Sequence, residues 1–164
     1  MLRRFCRTAN GLRRVMNLWP PLLFSGIQIM EMSEDYRYMK ARLRNWPLTR
    51  NLHGAQFGGS LFAMTDAAYS LMLNGLMSKK YYVWDKSSHI DFIKPGRGEV
   101  YIECHISSEQ LAEIQERTKE GEKFFPEFEV RIFDKSGETV AIAKRVIYVR
   151  LKPSFRPPKV PAAE

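Results

Sequence analysis

The stretch of residues 60–77 restricts the fold most strongly, because it contains no proline and only one internal glycine. Such a stretch is long enough to form the main helix of a domain. Its first fourteen residues are apolar in nearly every direction, and Asp66 is the only charged residue among them. We therefore predict a helix that is buried, or that is covered by a sheet on one side and by a partner on the other. A carboxylate in such surroundings is costly unless it is paired, hydrogen-bonded or protonated.

The segments on both sides of this helix have the pattern of β-strands. Residues 26–45 predict two extended stretches joined by a turn at 33–35, and residues 81–94 predict another. Apolar and polar residues alternate from Val100 to Ile106, which indicates a half-buried strand. Phe128, Val130 and Ile132 alternate in the same way after a short polar helix at 107–120, for which Ser108 is the predicted N-cap.

The C-terminal part completes the predicted sheet. Residues 134–137 have the composition of a hairpin turn. Residues 138–151 are apolar on both faces, which predicts a central strand. A sheet of this size has to cover one face with another layer, and the long helix is the natural candidate. The sequence therefore predicts an α+β fold, in which an antiparallel β-sheet wraps around one long central α-helix.

A chain of 164 residues corresponds to one domain. We predict a basic helix packed on the domain within residues 1–25, because apolar residues at 12, 15, 16 and 19 have helical spacing and end at a proline pair. The main domain is expected at 26–152, and a loose tail with four prolines at 153–164. Residues 1–14 carry five arginines and no acidic residue, so a mitochondrial presequence or a membrane-surface helix is the alternative.

Charge and cysteine content limit the classes of binding partner and the cellular compartment that we expect. The net charge of +8 favours a polyanion, such as nucleic acid, an anionic membrane or a small molecule that carries phosphate. Cys6 and Cys104 lack histidine or cysteine partners at metal-binding spacing, so we expect no metal and a reducing, cytoplasmic location. No apolar run is long enough to span a membrane.

Two glycines at the start of the long helix suggest chemistry for Asp66. Amide groups at a helix N-terminus lack intrahelical partners, and they bind an anion or a developing oxyanion. A carboxylate two turns further along supplies a base for water, so Gly58 and Asp66 together have the parts for ester or thioester hydrolysis. The alternatives are that Asp66 caps a kink or pairs with a basic residue from a strand, and that Gly58 and Gly59 only allow close packing.

Residues 51–66 carry a resemblance to a known family. They read NLHGAQFGGSLFAMTD, which resembles the N-x-H-G-x-x-H-G-G-x-x-F-x-x-x-D motif of the phenylacetyl-CoA-type hotdog thioesterases. The flanking segments at 19–21, 26–27, 82–86, 90–92 and 95–98 are similar to a neighbouring bacterial hotdog family with a domain-of-unknown-function label. The resemblance extends from about residue 12 to 150 and implies the hotdog fold and acyl-CoA thioester hydrolysis.

The resemblance also implies roles for single residues. Asp66 stands where the family has the carboxylate that activates water or attacks the thioester. Gly58 stands where a backbone N–H polarises the carbonyl, and Asn51 where a polar side chain positions the water or the loop. Phe57 departs from the family, because it replaces the histidine before the two glycines; this implies a weaker enzyme or a bulkier apolar acyl group. His53 is retained, and we expect it to shape the turn.

Coenzyme A is part of the expected substrate, and no separate cofactor is expected. A basic group after the helix is expected to bind the phosphates of CoA; it consists of Lys79, Lys80, Lys86, Lys94 and Arg97. The alternative is that these residues form only a solvated face. An acyl pocket is expected near Phe57, Gly59 and His53. Phe62, Tyr69 and Trp84 are further candidates for its walls, although aromatic residues in such segments also serve as core.

Other functions fit the residues less well. Hotdog dehydratases need a histidine paired with an acid, and His53, His89 and His105 do not stand in such a motif. Nucleic-acid binding agrees only with the charge. A non-catalytic acyl-CoA or fatty-acid binder is the main alternative, and Phe57 is the residue that favours it. The resemblance implies a homo-oligomer, a dimer or a tetramer, with the site between subunits.

Overall fold

A computed structural model describes residues 8–77 and 79–158. This part of the chain forms four α-helices: α1 (Ala9–Leu18), α2 (Pro20–Phe24), α3 (Gly58–Leu76) and α4 (Ser108–Thr118). It forms six β-strands: β1 (Ile27–Met32), β2 (Tyr38–Leu43), β3 (Tyr81–Phe92), β4 (Val100–His105), β5 (Glu127–Asp134) and β6 (Thr139–Leu151). Single 3₁₀ turns lie at Pro47–Thr49 and Pro153–Phe155.

The six strands form one antiparallel sheet in the order β1-β2-β4-β5-β6-β3. β6 pairs with β5 on one side and with β3 on the other, so the prediction that it is not an edge strand is confirmed. β1 and β3 are the edges. One long helix packed against an antiparallel sheet is the α+β architecture predicted from the sequence.

The sheet covers one face of α3. Side chains at helical spacing are buried between the helix and strands β2 to β6; they are Leu61, Met64, Ala68, Met72 and Leu73. The opposite face of the helix points away from the sheet. The expectation that Asp66 is buried is therefore wrong for the single chain, because 63% of its side chain is exposed. Sequence periodicity alone does not distinguish the two faces of a helix that is apolar nearly all round.

The N-terminal helices cover the β1 edge. The side chain of Asn17 on α1 pairs with the backbone of Ile29, since its Nδ2 donates to the carbonyl at 2.9 Å and its Oδ1 accepts from the amide at 2.7 Å. The proline pair ends α1 and also begins α2, because a proline lacks the N–H that the first turn leaves unpaired. The targeting role considered for residues 1–14 and the loose tail predicted at 153–164 lie partly outside the described residues, at 1–7 and 159–164, and both stay predictions.

Three sequence predictions about the helices and turns can be compared with the structure. The N-cap of α4 is Ser107 and not Ser108; its hydroxyl accepts from the amide of Gln110 at 3.1 Å, and the Gln110 side chain accepts from the Ser107 amide. The predicted hairpin turn at 134–137 joins β5 to β6. No helix in the described part of the chain is long and apolar enough to cross a membrane.

Candidate active site

Asp66 is paired with an arginine from the sheet. Nη1 of Arg145, on β6, lies 2.8 Å from Oδ1 of Asp66. The two partners differ in burial, because the Arg145 side chain is 2% exposed while the Asp66 side chain is mostly in solvent. The pairing agrees with the alternative that Asp66 meets a basic residue from a strand. It does not exclude a reactive carboxylate, because no hydrogen bond from the described residues reaches Oδ2.

The guanidinium of Arg145 is held by helix α3 at four points. Its Nε and Nη2 donate to Oγ1 of Thr65 at 3.1 and 2.7 Å, and Nη2 also donates to the carbonyl of Phe62 at 2.8 Å. The fourth contact is the Phe62 ring, whose centroid lies 4.5 Å from the guanidinium carbon. A buried arginine is costly unless its donors are satisfied, and these contacts satisfy most of them.

A second carboxylate faces the same guanidinium. Oδ1 of Asp85, on β3, lies 3.6 Å from Nη1 of Arg145, and it is buried without a hydrogen-bond partner among the described residues. Burial raises the pKa of Asp85, while a hydrogen bond from Ser70 and the charge of Arg145 act in the opposite direction. The negative charge of Asp66 also raises it. A mostly exposed and a partly buried carboxylate therefore face one guanidinium.

The two glycines at the start of α3 lie between aromatic rings. A Cβ added to Gly58 would lie 3.1 Å from Cζ of Phe92, and a Cβ added to Gly59 would overlap the ring of Phe57. Both rings are about half exposed. The amides of Ser60 and Leu61 donate to the carbonyl of Phe57 at 2.9 and 3.1 Å, and the Phe57 side chain provides no hydrogen bond to the first turn. The amides of Gly58 and Gly59 therefore remain available for an anion or a carbonyl oxygen.

A groove of about 330 Å³ opens beside this helix start. Its apolar lining comes from the loop before α3, from the first turns of α3, and from the end of β3 with the loop that follows; these residues are Ala55, Leu61, Phe92, Ile93 and Pro95. Asn51, Gln56, Gly58 and Lys94 also line it. Asn51 shapes the loop, because its Oδ1 accepts from the amides of His53 and Ala55 at 3.0 and 3.1 Å. An apolar groove with a few polar groups is the usual form of a small-molecule site.

The aromatic candidates for the acyl pocket are separated in the single chain. Phe62 lies on α3 and covers Arg145. Tyr69 is buried in the core and stacks on Phe128 with a centroid distance of 4.1 Å. Trp84 stacks on Tyr148 at 4.4 Å, on the sheet face opposite to Asp85 because neighbouring side chains of a strand alternate. Phe62, Tyr69 and Trp84 therefore do not meet within one chain, and their role in an acyl pocket stays a prediction. His53 is exposed beside the groove.

The basic residues expected to bind CoA do not form one group within the chain. Lys79 and Lys80 precede β3, whereas Lys94 and Arg97 follow it, and a strand of this length separates its ends by about 35 Å. Lys86 lies over the Phe125 ring at 4.0 Å. Lys94 is engaged by Asp134 at 2.8 Å and by Glu138. Arg97 is exposed and borders a polar cavity of about 570 Å³.

Arg145, Asp85 and Gln56 were not identified from the sequence. Arg145 lies on β6 between Ala143 and Ile147, on the face that points to the helix. A charged residue at that position of a central strand was the sequence feature that could have identified it. Gln56 is buried and ties the loop to the turn after β3, because its Nε2 donates to the carbonyls of Arg44 and Gly98 at 3.1 and 2.7 Å. A buried glutamine inside a glycine-rich loop has no distinct sequence pattern.

Comparison with protein families identifies the chain. The family described as "Domain of unknown function (DUF4442)" matches residues 9–149. The chain belongs to this family. Its membership confirms the predicted resemblance to a hotdog family with a domain-of-unknown-function label. Comparison with curated proteins finds no match.

Solved structures confirm the hotdog fold. A Pseudomonas aeruginosa protein described as a probable thioesterase is 18% identical with a TM-score of 0.78, over 85% of this chain and 93% of that one. A Haemophilus influenzae thioesterase is 14% identical with a TM-score of 0.65, over 88% and 91%. The Escherichia coli PaaI protein, from the phenylacetic acid degradation operon, is 17% identical with a TM-score of 0.61, over 90% and 96%. At such identities the likeness shows the fold alone.

Proposed function

We propose that the protein hydrolyses acyl-CoA thioesters, with Asp66 as the carboxylate that activates water. The observation that carries this proposal is the geometry of Asp66: its Oδ1 is bound by Arg145, and its side chain projects from an otherwise apolar helix into solvent. The start of the same helix offers unpaired amides beside an apolar groove. Similar folds are described as thioesterases in other organisms, which supports the same class of reaction.

We infer that such a site is formed by two copies of the chain. Gly58 and Asp66 are eight residues apart, so about 12 Å of helix axis separates them. A water-activating group and an oxyanion donor both have to lie about 3 Å from the reacting atoms. We therefore place Asp66 of one copy opposite Gly58 of a second copy in a homo-oligomer. The exposed outer face of α3 is compatible with such an approach.

The proposed reaction uses a water molecule as nucleophile. The Asp66 carboxylate accepts a proton from water as the water oxygen attacks the thioester carbon. The carbonyl oxygen becomes an oxyanion, and the Gly58 amide of the second copy donates a hydrogen bond to it. Collapse of this intermediate breaks the carbon–sulfur bond and releases the carboxylic acid and the thiolate of CoA. The thiolate takes up the proton that Asp66 accepted from water, which regenerates the Asp66 carboxylate. Asn51 supports the reaction by holding the loop that precedes Gly58.

A non-catalytic acyl-CoA binder is the second candidate, because one observation favours it. The family motif has a histidine at position 57, and here the ring of Phe57 packs directly against Gly59. An aromatic ring at this position adds apolar surface for an acyl group and no hydrogen-bond donor. Binding without turnover is the behaviour that this substitution favours.

The proposal is tested by thiol release from acyl-CoA substrates that range from acetyl to palmitoyl and include phenylacetyl. We expect turnover by the unchanged protein and none by Asp66→Asn. Asp91→Asn is the matched control, because Asp91 is an exposed carboxylate on β3 whose one ion pair among the described residues is with His89 at 3.0 Å. Equal turnover by Asp66→Asn and the unchanged protein would refute the mechanism. Tight acyl-CoA binding with no turnover by either protein would favour the binder.

Complementation tests the site between two copies. Gly58→Pro removes the N–H at the first helical position, where proline is tolerated, and Gly58→Ala keeps it. We expect Gly58→Pro and Asp66→Asn each to be inactive alone. In co-expressed mixtures about a quarter of the sites are intact if the two groups come from different copies of a two-fold dimer. Mixtures that stay inactive would contradict this arrangement.

A further inference from the structure

The hydroxyl of Thr65 has all of its hydrogen-bonding positions in use. It donates to the carbonyl of Phe62 at 2.8 Å and accepts from Nε and Nη2 of Arg145. A hydroxyl has one donor and two acceptor positions, so this set is complete. Thr65 therefore fixes both the position of the guanidinium and the plane in which it lies.

Arg145 has little freedom to move away from this geometry. It lies on a strand that is paired on both sides, its side chain is buried, and the Phe62 ring packs against the guanidinium. Its remaining nitrogen, Nη1, points to Asp66. An arginine that is oriented by other contacts loses little further conformational entropy when it binds a carboxylate.

We propose that Arg145, oriented by Thr65, is a positioning residue for the reactive carboxylate. It binds Oδ1 of Asp66 and thereby directs Oδ2 toward the water that attacks the substrate. A largely exposed aspartate would otherwise exchange between rotamers, and reactions lose rate steeply when a reacting group is misplaced by about 1 Å. This inference rests on the proposed function and adds two residues, neither of which contacts the substrate.

Asp85 distinguishes positioning from simple charge neutralisation. Its Oδ1 is 3.6 Å from Nη1, which is too long for a hydrogen bond, whereas Asp66 is bound at 2.8 Å. The charge of Arg145 is thus shared between two carboxylates, but its hydrogen bond is given to one. If Arg145 acted only through its charge, a lysine at the same position would replace it fully.

The experiment compares kcat and KM for the acyl-CoA that gives the highest turnover. Thr65→Val removes the hydroxyl and keeps the shape of the side chain, and we expect kcat to fall roughly 10-fold with KM unchanged. Thr65→Ser keeps the hydroxyl and is expected to retain most of kcat. Arg145→Met is expected to lower kcat about 100-fold. Arg145→Lys is expected to restore only part of it.

The matched control for Arg145 is Arg150→Met, because Arg150 lies on the same strand and binds the carbonyl of Gly121 at 2.7 Å, away from the site. We expect it to keep the kcat of the unchanged protein. Circular dichroism and the urea midpoint check that each variant is folded. If Arg145→Met does not fold, the comparison of Thr65→Val with Thr65→Ser decides the question.

The possible outcomes separate this inference from the proposed function. If Asp66→Asn is inactive while Thr65→Val and Arg145→Lys both keep full kcat, positioning by Arg145 is refuted and the proposed reaction stands. A rise in KM with kcat unchanged would also refute it, because it would place Arg145 in substrate binding. If Asp66→Asn keeps full turnover, the proposed mechanism fails, and the positioning inference fails with it.

Discussion

Arg145 and Asp66 form an ion pair of 2.8 Å in which the arginine side chain is almost fully buried and the aspartate is mostly exposed. The two partners therefore depend on the pair to different degrees. Water can replace Arg145 around the carboxylate of Asp66, whereas the Arg145 side chain is only 2% exposed and has little access to water that could replace Asp66. The partly buried carboxylate of Asp85 also faces the guanidinium and can compensate its positive charge.

The first prediction concerns the stability of this cluster. Asp66→Asn should lower the free energy of unfolding by about 1 kcal/mol or less, because Asp85 still faces Arg145. Asp85→Asn should leave it nearly unchanged at neutral pH, because burial disfavours the ionised form of Asp85 and Asp66 still pairs with Arg145. The double variant should lose about 3–5 kcal/mol, since it leaves a buried guanidinium without a counter-charge. Urea unfolding of the four proteins measures the coupling, and Asp91→Asn serves as the exposed control. Additive losses would show that Asp85 does not compensate for Asp66.

The second prediction follows from the raised pKa of Asp85. A carboxyl group whose pKa is higher in the folded state holds its proton more tightly there, so the folded protein loses stability as pH rises through that pKa. The asparagine in Asp85→Asn does not titrate. The unchanged protein should therefore lose stability relative to Asp85→Asn as pH rises from below the ordinary aspartate value to neutrality. Urea midpoints across this range measure the difference, and a difference independent of pH would contradict the prediction.

The third prediction has the opposite sign. Hydrogen bonds from Lys94 and then Ser136 hold the pKa of Asp134 well below its usual range. The stability that this ionised carboxylate contributes is complete above the unfolded value of about 3.9 and is lost as pH falls toward the folded pKa. Asp134→Asn should therefore destabilise the protein at neutral pH, and the difference should shrink in acid. Unfolding curves at neutral and at acidic pH test this, and Asp91→Asn is expected to leave the stability unchanged at both.

The fourth prediction concerns Phe57. Phe57→His introduces an N–H donor near the first turn of α3 and removes the ring that packs against Gly59. If the oxyanion is stabilised here, kcat should rise about 10-fold or more, as expected for an added donor at a developing charge. Phe57→Leu is the control, because it removes the ring without adding a donor. Equal kcat values for the two variants would place the oxyanion elsewhere.

The fifth prediction separates two basic residues that the sequence placed together. Lys94 is held by Asp134 and Glu138, so Lys94→Gln should leave the affinity for CoA unchanged. Arg97 is exposed at the rim of the polar cavity, and Arg97→Gln should weaken CoA binding if phosphates dock there. Calorimetry at low and high ionic strength measures both, because contacts with phosphate weaken as salt is added. A larger loss for Lys94→Gln would contradict the prediction.

Local patterns predicted most of the architecture. The absence of proline from 60–77 predicted α3, and the alternation from Val100 predicted β4. The position of the N-cap of α4 was missed by one residue, because two serines in succession can both cap a helix. A helix, a strand and an N-cap each depend on residues that are close together in the chain, so local sequence patterns are enough to predict them.

The environment of Asp66 could not be predicted in the same way. Arg145 and Asp66 are distant in the chain, and their contact depends on which face of β6 points to the helix and on the register between strands. The stretch 138–151 is apolar on both faces, so its pattern did not reveal that orientation. The separation of Lys80 from Lys94 likewise follows from the length and direction of β3.

The pairing of β3 has a consequence for the order of folding. Within residues 8–77 and 79–158, β3 is bonded to β6 alone, and β6 is the last of the six strands described there, so β3 has no partner in this sheet until residues 139–151 are synthesised and inserted. The same insertion carries Arg145 to the helix. The surroundings of Asp66 therefore form in the final, long-range step, which is expected to be slow because distant segments have to meet. A nascent chain that stops before β6 would contain Asp66 but would lack the guanidinium that holds it.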